Sequence, residues 1–169
     1  RAIGAMFVWA LYGSIACAQQ PPPRTLTIGY VEIEDDPRYE PLKASERIVL
    51  RAPHRPYPGA AVGVDDAAAL SRVTGAGLKL ERITVAPDKL IEAIGEARTK
   101  QGIALFLLDL PAASFASVAA ALKGQDVLAF NVSAPEDELR RTLCAREIVH
   151  AIASQAMRMD ALVQHLIAR

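Results

Sequence analysis

Polar and apolar residues alternate from Thr25 to Ile33, with β-branched side chains recurring, which predicts a strand over 25–33. The acidic run Glu34-Asp35-Asp36 and Pro37 end it. Five prolines (Pro37, Pro41, Pro53, Pro56 and Pro58) make most of 37–58 a loop, with Ile48-Val49-Leu50 as a short strand inside it. At Gly59 the composition turns Ala-rich and predicts a helix to about Thr74-Gly75. Strand and helix then repeat. A strand over 78–85 precedes a helix that Pro87 opens and that runs to about Lys100, with Leu90, Ile91, Ile94 and Ala97 on one face. Residues 103–108 form an unbroken apolar run, the pattern of a strand covered on both sides. A helix over 112–122 closes at Lys123-Gly124, and a strand follows over 127–131. A short helix or turn over 136–141, a brief strand over 147–150 and an amphipathic helix from Ser154 into Arg169 complete the pattern.

Strands alternating with helices, the strands themselves largely apolar, imply an α/β fold with a doubly wound parallel sheet. The final helix reaches the last residue with no cap and no strand after it, so the chain is expected to be truncated there. Ahead of the first strand, Arg1 precedes an apolar run over 2–15 that ends in Ala16-Cys17-Ala18. That order is the pattern of a secretory signal and is short for a membrane span. A buried core helix is the alternative, and Pro21-Pro22-Pro23 argue against it by cutting the segment off. Residues 1–18 are therefore expected to be a signal peptide removed on export, and 19–24 a Pro-rich linker. Cleavage after Ala18 removes Cys17 and leaves Cys144 alone, with no internal disulfide. The other reading, a lipid-bearing Cys17, has Ser14 where such signals usually carry Leu.

Composition narrows the function classes. The chain has 169 residues, 51% hydrophobic and 5% aromatic, so its core is aliphatic and Ala-rich. Nineteen basic residues balance nineteen acidic ones, and loss of Arg1 with the leader leaves 18 against 19, about −1. A phosphate-backbone binder shows a clustered basic excess, so no nucleic-acid partner is expected. Phosphate-binding G-x-x-x-x-G-K, dinucleotide-binding G-x-G-x-x-G and hydrolase G-x-S-x-G patterns are all absent. His54, His150 and His165 lack zinc spacing, and Ser133 with His150 alone does not make a triad. Neither an enzyme nor a cofactor is expected.

In open parallel sheets, ligands bind beyond the carboxyl ends of the strands. That rule selects 33–36, 86–88, 109–112 and 131–135. Asp88 and Ser114 also fit as first-turn or capping residues. The acidic group Glu32, Glu34, Asp35 and Asp36 could hold a cation with hard oxygen donors, making Glu34, Asp35 and Asp36 weak metal candidates. It could equally pair with arginines such as Arg38, or form a solvated loop.

Several segments, taken in succession, resemble the type I periplasmic binding proteins, the branched-chain amino acid class of ABC-transporter solute receptors. They are Leu26-Thr-Ile-Gly-Tyr30, the helix over 59–74, Leu105-Phe-Leu-Leu-Asp-Leu-Pro-Ala112 and Val127-Leu-Ala-Phe-Asn-Val-Ser-Ala134. Residues 144–157 look like the stretch by which that fold leaves its first lobe for its second. More narrowly, 29–40 and 130–135 resemble the subgroup associated with pyrroloquinoline-quinone-dependent alcohol catabolism.

The resemblance implies a first α/β lobe over 25–145, with 146–169 as the crossover and first helix of a missing second lobe. It implies a periplasmic receptor that binds a small-molecule solute and meets the membrane only through an ABC-transporter permease. A periplasmic sensor or structural subunit using the same lobe for protein contacts is the alternative. The strand-end rule and the resemblance together make Tyr57, Asp109, Ala112, Ser114, Asn131, Ser133 and Ala134 the candidate ligand-binding residues. Ala112 falls where a ligand-binding Ser often stands, Ser133-Ala134 on the second gripping loop, and Tyr57 near the aromatic that covers the solute. Pro135 replaces a usual Thr. The two departures remove hydroxyls, and Pro135 also removes an N–H, so the usual amino-acid carboxylate grip is in doubt. Glu34, Asp35, Asp36 and Asp109 at the same rim point to another solute: the quinone cofactor, an alcohol-oxidation product, or a metal ion or chelate.

Overall fold

The computed structural model describes residues 24–41, 43 and 54–168. The expected leader, the Pro-rich linker up to residue 23, Cys17 and the short strand over 48–50 lie outside these residues. Five strands, β1 (Arg24–Ile33), β2 (Ala76–Val85), β3 (Leu105–Asp109), β4 (Leu128–Asn131) and β5 (Ile148–His150), form one sheet in the order β2-β1-β3-β4-β5. Every pairing is parallel. Between them run α1 (Tyr57–Thr74), α2 (Leu90–Gln101), α3 (Ala112–Leu122) and α4 (Asp137–Thr142), and α5 (Gln155–Ile167) follows β5. The α/β class and the parallel sheet are as the sequence predicts. α1 starts two residues before Gly59, because Pro58 is tolerated in a first helical turn and does not delay the start. It stops at Gly75, whose φ of 68° is the left-handed conformation that closes helices.

The alternation along β1 splits its side chains between two environments. Val31 and Ile33, with Phe106, Leu108 and Ala129 at equivalent positions of β3 and β4, are buried against Leu90, Ile94 and Ala97 of α2 and Phe115, Val118 and Leu122 of α3. Gly29 lies on this face because the ring of Phe106 occupies the space a Cβ would need: Cδ1 would stand 2.7 Å from it. The opposite face carries Tyr30 and Glu32 of β1, with Arg82 and Thr84 of β2 and Leu107 and Asp109 of β3 as their register partners. Here the expectation of a β3 covered on both sides is corrected. Phe106 and Leu108 are fully buried, but Leu105 and Leu107 are half-buried: α1 packs over β2, with its Tyr57 on Tyr30 of β1, rather than over β3.

The chain moves outward from β1 to β2 in one direction and from β1 past β3 to β5 in the other. The carboxyl ends of β1 and β3 therefore mark the switch point at which such sheets leave a crevice.

Candidate functional site

Two carboxylates stand side by side at that crevice. Glu32 and Asp109 are register partners in the last rung of the β1–β3 pair, and their residues are 1% and 0% exposed. Alternation along β1 also turns Tyr30 to this face, where its hydroxyl donates to Asp109 Oδ2 at 2.9 Å. Charges so deeply buried require partners. They come from the long connection between β1 and α1, at both of its ends.

At its start, Asp35 takes a φ of 47°, and Asp36 caps the short 3-10 turn Pro37–Tyr39 by accepting from the Arg38 backbone N–H at 3.0 Å. The Asp36 residue, 2% exposed, grips Arg38 through Nε and Nη2. From that anchor Arg38 reaches Asp109 Oδ1 through Nη2 at 3.1 Å and the Ser133 hydroxyl through Nη1 at 3.0 Å. Tyr39 adds its hydroxyl to Asp109 Oδ1 at 2.6 Å. At the other end, Arg55 donates to Glu32 Oε2 at 3.1 Å and the Ile33 carbonyl at 2.9 Å, and its Nη1 lies 3.7 Å from Asp109 Oδ2. From β2, Arg82 and Thr84 both donate to Glu32 Oε1. Aromatic rings line these cations: Tyr39 beneath Arg38 and Arg55, and Tyr57 beneath Arg82 at 4.3 Å. Tyr57 also meets Tyr30 edge-on, centroids 5.1 Å apart.

The electrostatics follow from these contacts. Burial alone would raise the Asp36 carboxyl, but hydrogen bonds from the Arg38 side chain and backbone outweigh it and hold the group below the usual carboxylate range. Arg38 is pushed up: burial opposes its charge, and Asp36 more than compensates. Burial and the neighbouring Asp109 both push the Tyr30 and Tyr39 phenols up, which fixes them as hydrogen-bond donors.

A second polar centre closes the β4 end. Asn131, fully buried, accepts at Oδ1 from the backbone N–H groups of Ser133 (3.3 Å) and Ala134 (2.9 Å). Its Nδ2 donates to the Ala134 carbonyl at 2.7 Å and lies 3.0 Å from His150 Nδ1. The bonds to Ala134 set the amide orientation, so Nδ1 is the acceptor and the imidazole proton sits on Nε2.

Among the sequence candidates, the structure joins Tyr57, Asp109 and Ser133 in the first network. Ala112 begins α3 half-buried against the core. Asn131, Ser133 and Ala134 adjoin the rim, but the two N–H groups expected to grip a solute are turned onto Asn131 instead. Ser114 is not brought to either network: it lines a groove between α2 and α3 with Pro87, Asp88, Leu90, Ala113 and Ser117. Glu34, Asp35 and Asp36 do not converge either. Leaving the strand at Ile33 breaks the alternation, so Asp36 is buried on Arg38 while Glu34 and Asp35 face solvent. Among the described residues no group of three ligating side chains is placed to hold a metal ion.

Arg55, Arg82, Thr84, Tyr30 and Tyr39 are site residues that the sequence reading missed. The β1–β2 register would have exposed Arg82 and Thr84, opposite Tyr30 and Glu32, whereas Arg55 and Tyr39 carry no periodic signal.

No protein-family model matches the chain, and no curated protein matches it. In structure it is similar to a protein of Rhodopirellula baltica SH 1 described as a possible leucine/isoleucine/valine-binding protein, with a TM-score of 0.60 and 15% sequence identity over 89% of this chain. The chain spans 38% of the length of that structure. At this identity the likeness establishes the fold alone: a five-stranded, all-parallel α/β unit that matches part of that structure.

Proposed function

We propose that the chain belongs to an exported solute receptor that captures a small molecule in the periplasm and passes it to an ABC-transporter permease, making and breaking no bond in it. One observation carries the reading. The buried ion network lies at the switch-point crevice of a sheet whose fold matches a solute-binding lobe. The described groups suit binding better than catalysis, since each buried carboxylate is held by arginine and accepts from several donors, leaving none poised as a base. Among the described residues no helix is long and apolar enough to cross a membrane. The segments over 29–40 and 130–135 further suggest a solute tied to quinone-dependent alcohol oxidation.

Thermal unfolding of the full-length protein tests this against pyrroloquinoline quinone, acids from alcohol oxidation, their parent alcohols and branched-chain amino acids. A solute at a hundred times its Kd stabilises by about 2.7 kcal/mol, a rise of roughly 5–10 °C for a chain of this size. A flat response to every compound overturns the proposal. A second reading, a lobe that docks a protein, has α5 in its favour: Met157, Met159, Leu162, Val163, Leu166 and Ile167 are all exposed.

A further inference from the structure

The class of solute can be read from the polar groups that the rim network leaves over. Every oxygen of Glu32, Asp36 and Asp109 already accepts from a protein donor. Glu32 takes Arg82 and Thr84 on Oε1 and Arg55 on Oε2, and Asp36 takes Arg38 on both oxygens. Asp109 takes Arg38 and Tyr39 on Oδ1 and Tyr30 on Oδ2. All three residues are at most 2% exposed. An incoming cation therefore meets no accessible carboxylate among them and would have to displace an arginine.

The donors are in the opposite condition. Arg55 and Arg82 hang on the two oxygens of one carboxylate, Glu32, yet their side chains are 22% and 46% exposed. Arg55 Nε and Arg82 Nη1 make no hydrogen bond to any described residue, whereas the remaining nitrogens of both are turned onto the protein. Aromatic rings back both guanidinium groups, Tyr39 at 4.8 Å from Arg55 and Tyr57 at 4.3 Å from Arg82, limiting where those groups can swing. Arg38, Arg55 and Arg82 balance Glu32, Asp36 and Asp109, so the buried assembly is neutral before a ligand arrives. A groove of about 440 Å³ opens beside Arg55, lined also by Asp35, Asp36, Tyr39, Glu40 and Pro41. Of its acids, Asp36 is already held by Arg38, and Asp35 and Glu40 are exposed, where water and salt screen them.

We infer that the crevice takes a small anionic solute, an organic acid or comparable oxyanion held by Arg55 beside the groove and by Arg82, which shares the Glu32 carboxylate with it. The inference rests on the solute-receptor reading and narrows it to acids, against the alcohols, amines and metal ions that the same rim could have been thought to accept. Guanidinium suits this role because it stays charged and even a single N–H from it makes a charge-assisted bond to a carboxylate or phosphate oxygen, the strong kind.

Acetate, acetamide, ethylammonium and inorganic phosphate, at matched ionic strength, provide the test. They are titrated into the full-length protein while the arginine Nε–H resonances and the melting temperature are followed. Acetate should move the Arg55 and Arg82 signals saturably and raise the melting temperature, with acetamide and ethylammonium doing neither. Arg82→Gln should weaken acetate binding about tenfold, the loss of one charge-assisted contact. Arg55→Lys, which keeps a cation beside Glu32, guards against a variant that fails to fold, and it should weaken binding while leaving unfolding cooperative. A phosphate response without an acetate response supports the inference and identifies a phosphate ester as the solute's acid group. No response to either anion overturns it. If acetamide, ethylammonium or one of the parent alcohols of the earlier panel still raises the melting temperature in that case, the receptor reading survives and only the anionic class falls. If no compound does, both fall.

Discussion

Two tyrosines donate to the same buried carboxylate, and the shorter of the two bonds should matter less. Tyr39 reaches Asp109 Oδ1 at 2.6 Å, but its ring is half-exposed and Oδ1 also accepts from Arg38. Tyr39→Phe leaves that oxygen partnered and admits water, so its cost should be about 0.5–1 kcal/mol. Tyr30 is fully buried and donates at 2.9 Å to Oδ2, whose next donor is Arg55 at 3.7 Å. Tyr30→Phe therefore leaves one oxygen of a buried charge with a single distant partner, while the ring and its contact with Tyr57 persist. Hydrogen bonds to charged groups contribute about 1.5–3 kcal/mol, which for a domain of this length lowers the melting temperature by roughly 3–12 °C. Urea unfolding at constant m measures both variants. Asp109→Asn adds the control. It should cost about 3–5 kcal/mol by weakening a buried ion cluster, and in that background Tyr30→Phe should lose at least about 1 kcal/mol of its effect. The reasoning fails if Tyr30→Phe costs no more than Tyr39→Phe, or if its cost is unchanged beside Asn at position 109.

Two further outcomes follow from the other face and the β4 end. Gly29→Ala would place a methyl group 2.7 Å from Phe106 Cδ1, and should cost about 1–3 kcal/mol by overpacking, less in a Phe106→Leu background; equal costs in the two backgrounds, by urea unfolding, would sink it. Burial first, and then the nearby Arg140 charge, lower the His150 pKa from its ordinary 6.5. The neutral ring is thus favoured in the folded state: its contribution is whole above about pH 6.5, declines as pH falls toward the folded value, and is flat below it. Proton NMR of His150 should give a midpoint under 6.5. His150→Gln should abolish that part of the pH slope, and an unchanged slope would assign it to other groups.

The fold was more legible than the site, and particular residues show why. Periodicity reports local geometry, so the period-2 pattern of 25–33 and the Ala-rich run after Gly59 identified β1 and α1 to within two residues. The apolar run over 103–108 predicted β3 but overstated its coverage, because hydrophobicity shows that a face prefers burial and says nothing of whether another element reaches it. Asp109 was found through the strand-end rule alone. Arg55 was invisible because nothing in a Pro-rich stretch says which residue will return to the sheet. The β4 loop shows a related limit. The resemblance implies a gripping loop at Ser133-Ala134, whereas the Asn131 side chain takes the N–H groups of both, a local competition that neither propensity nor spacing reveals.

The connection between β1 and α1 also acquires a structural reason. Parallel register forces Glu32 and Asp109 into adjacent positions on one face, and two carboxylates in so dry a place require partners. β2 supplies one cation, Arg82, which reaches only Glu32. Among the described residues the sheet offers no cation to Asp109, and those that reach it come from outside the sheet. Arg38 arrives from one end of the connection, itself held by Asp36, and Arg55 arrives from the other, placed between the two carboxylates. A stretch that reads as loop by composition is thereby fixed to the rim at both ends by the charges it neutralises. Removing a carboxylate should therefore loosen those two described ends, Arg38 and Arg55, as well as alter the crevice. The candidate crevice and the packing of residues 34–41 and 54–57 are then one structure, and a substitution at either is felt at the other.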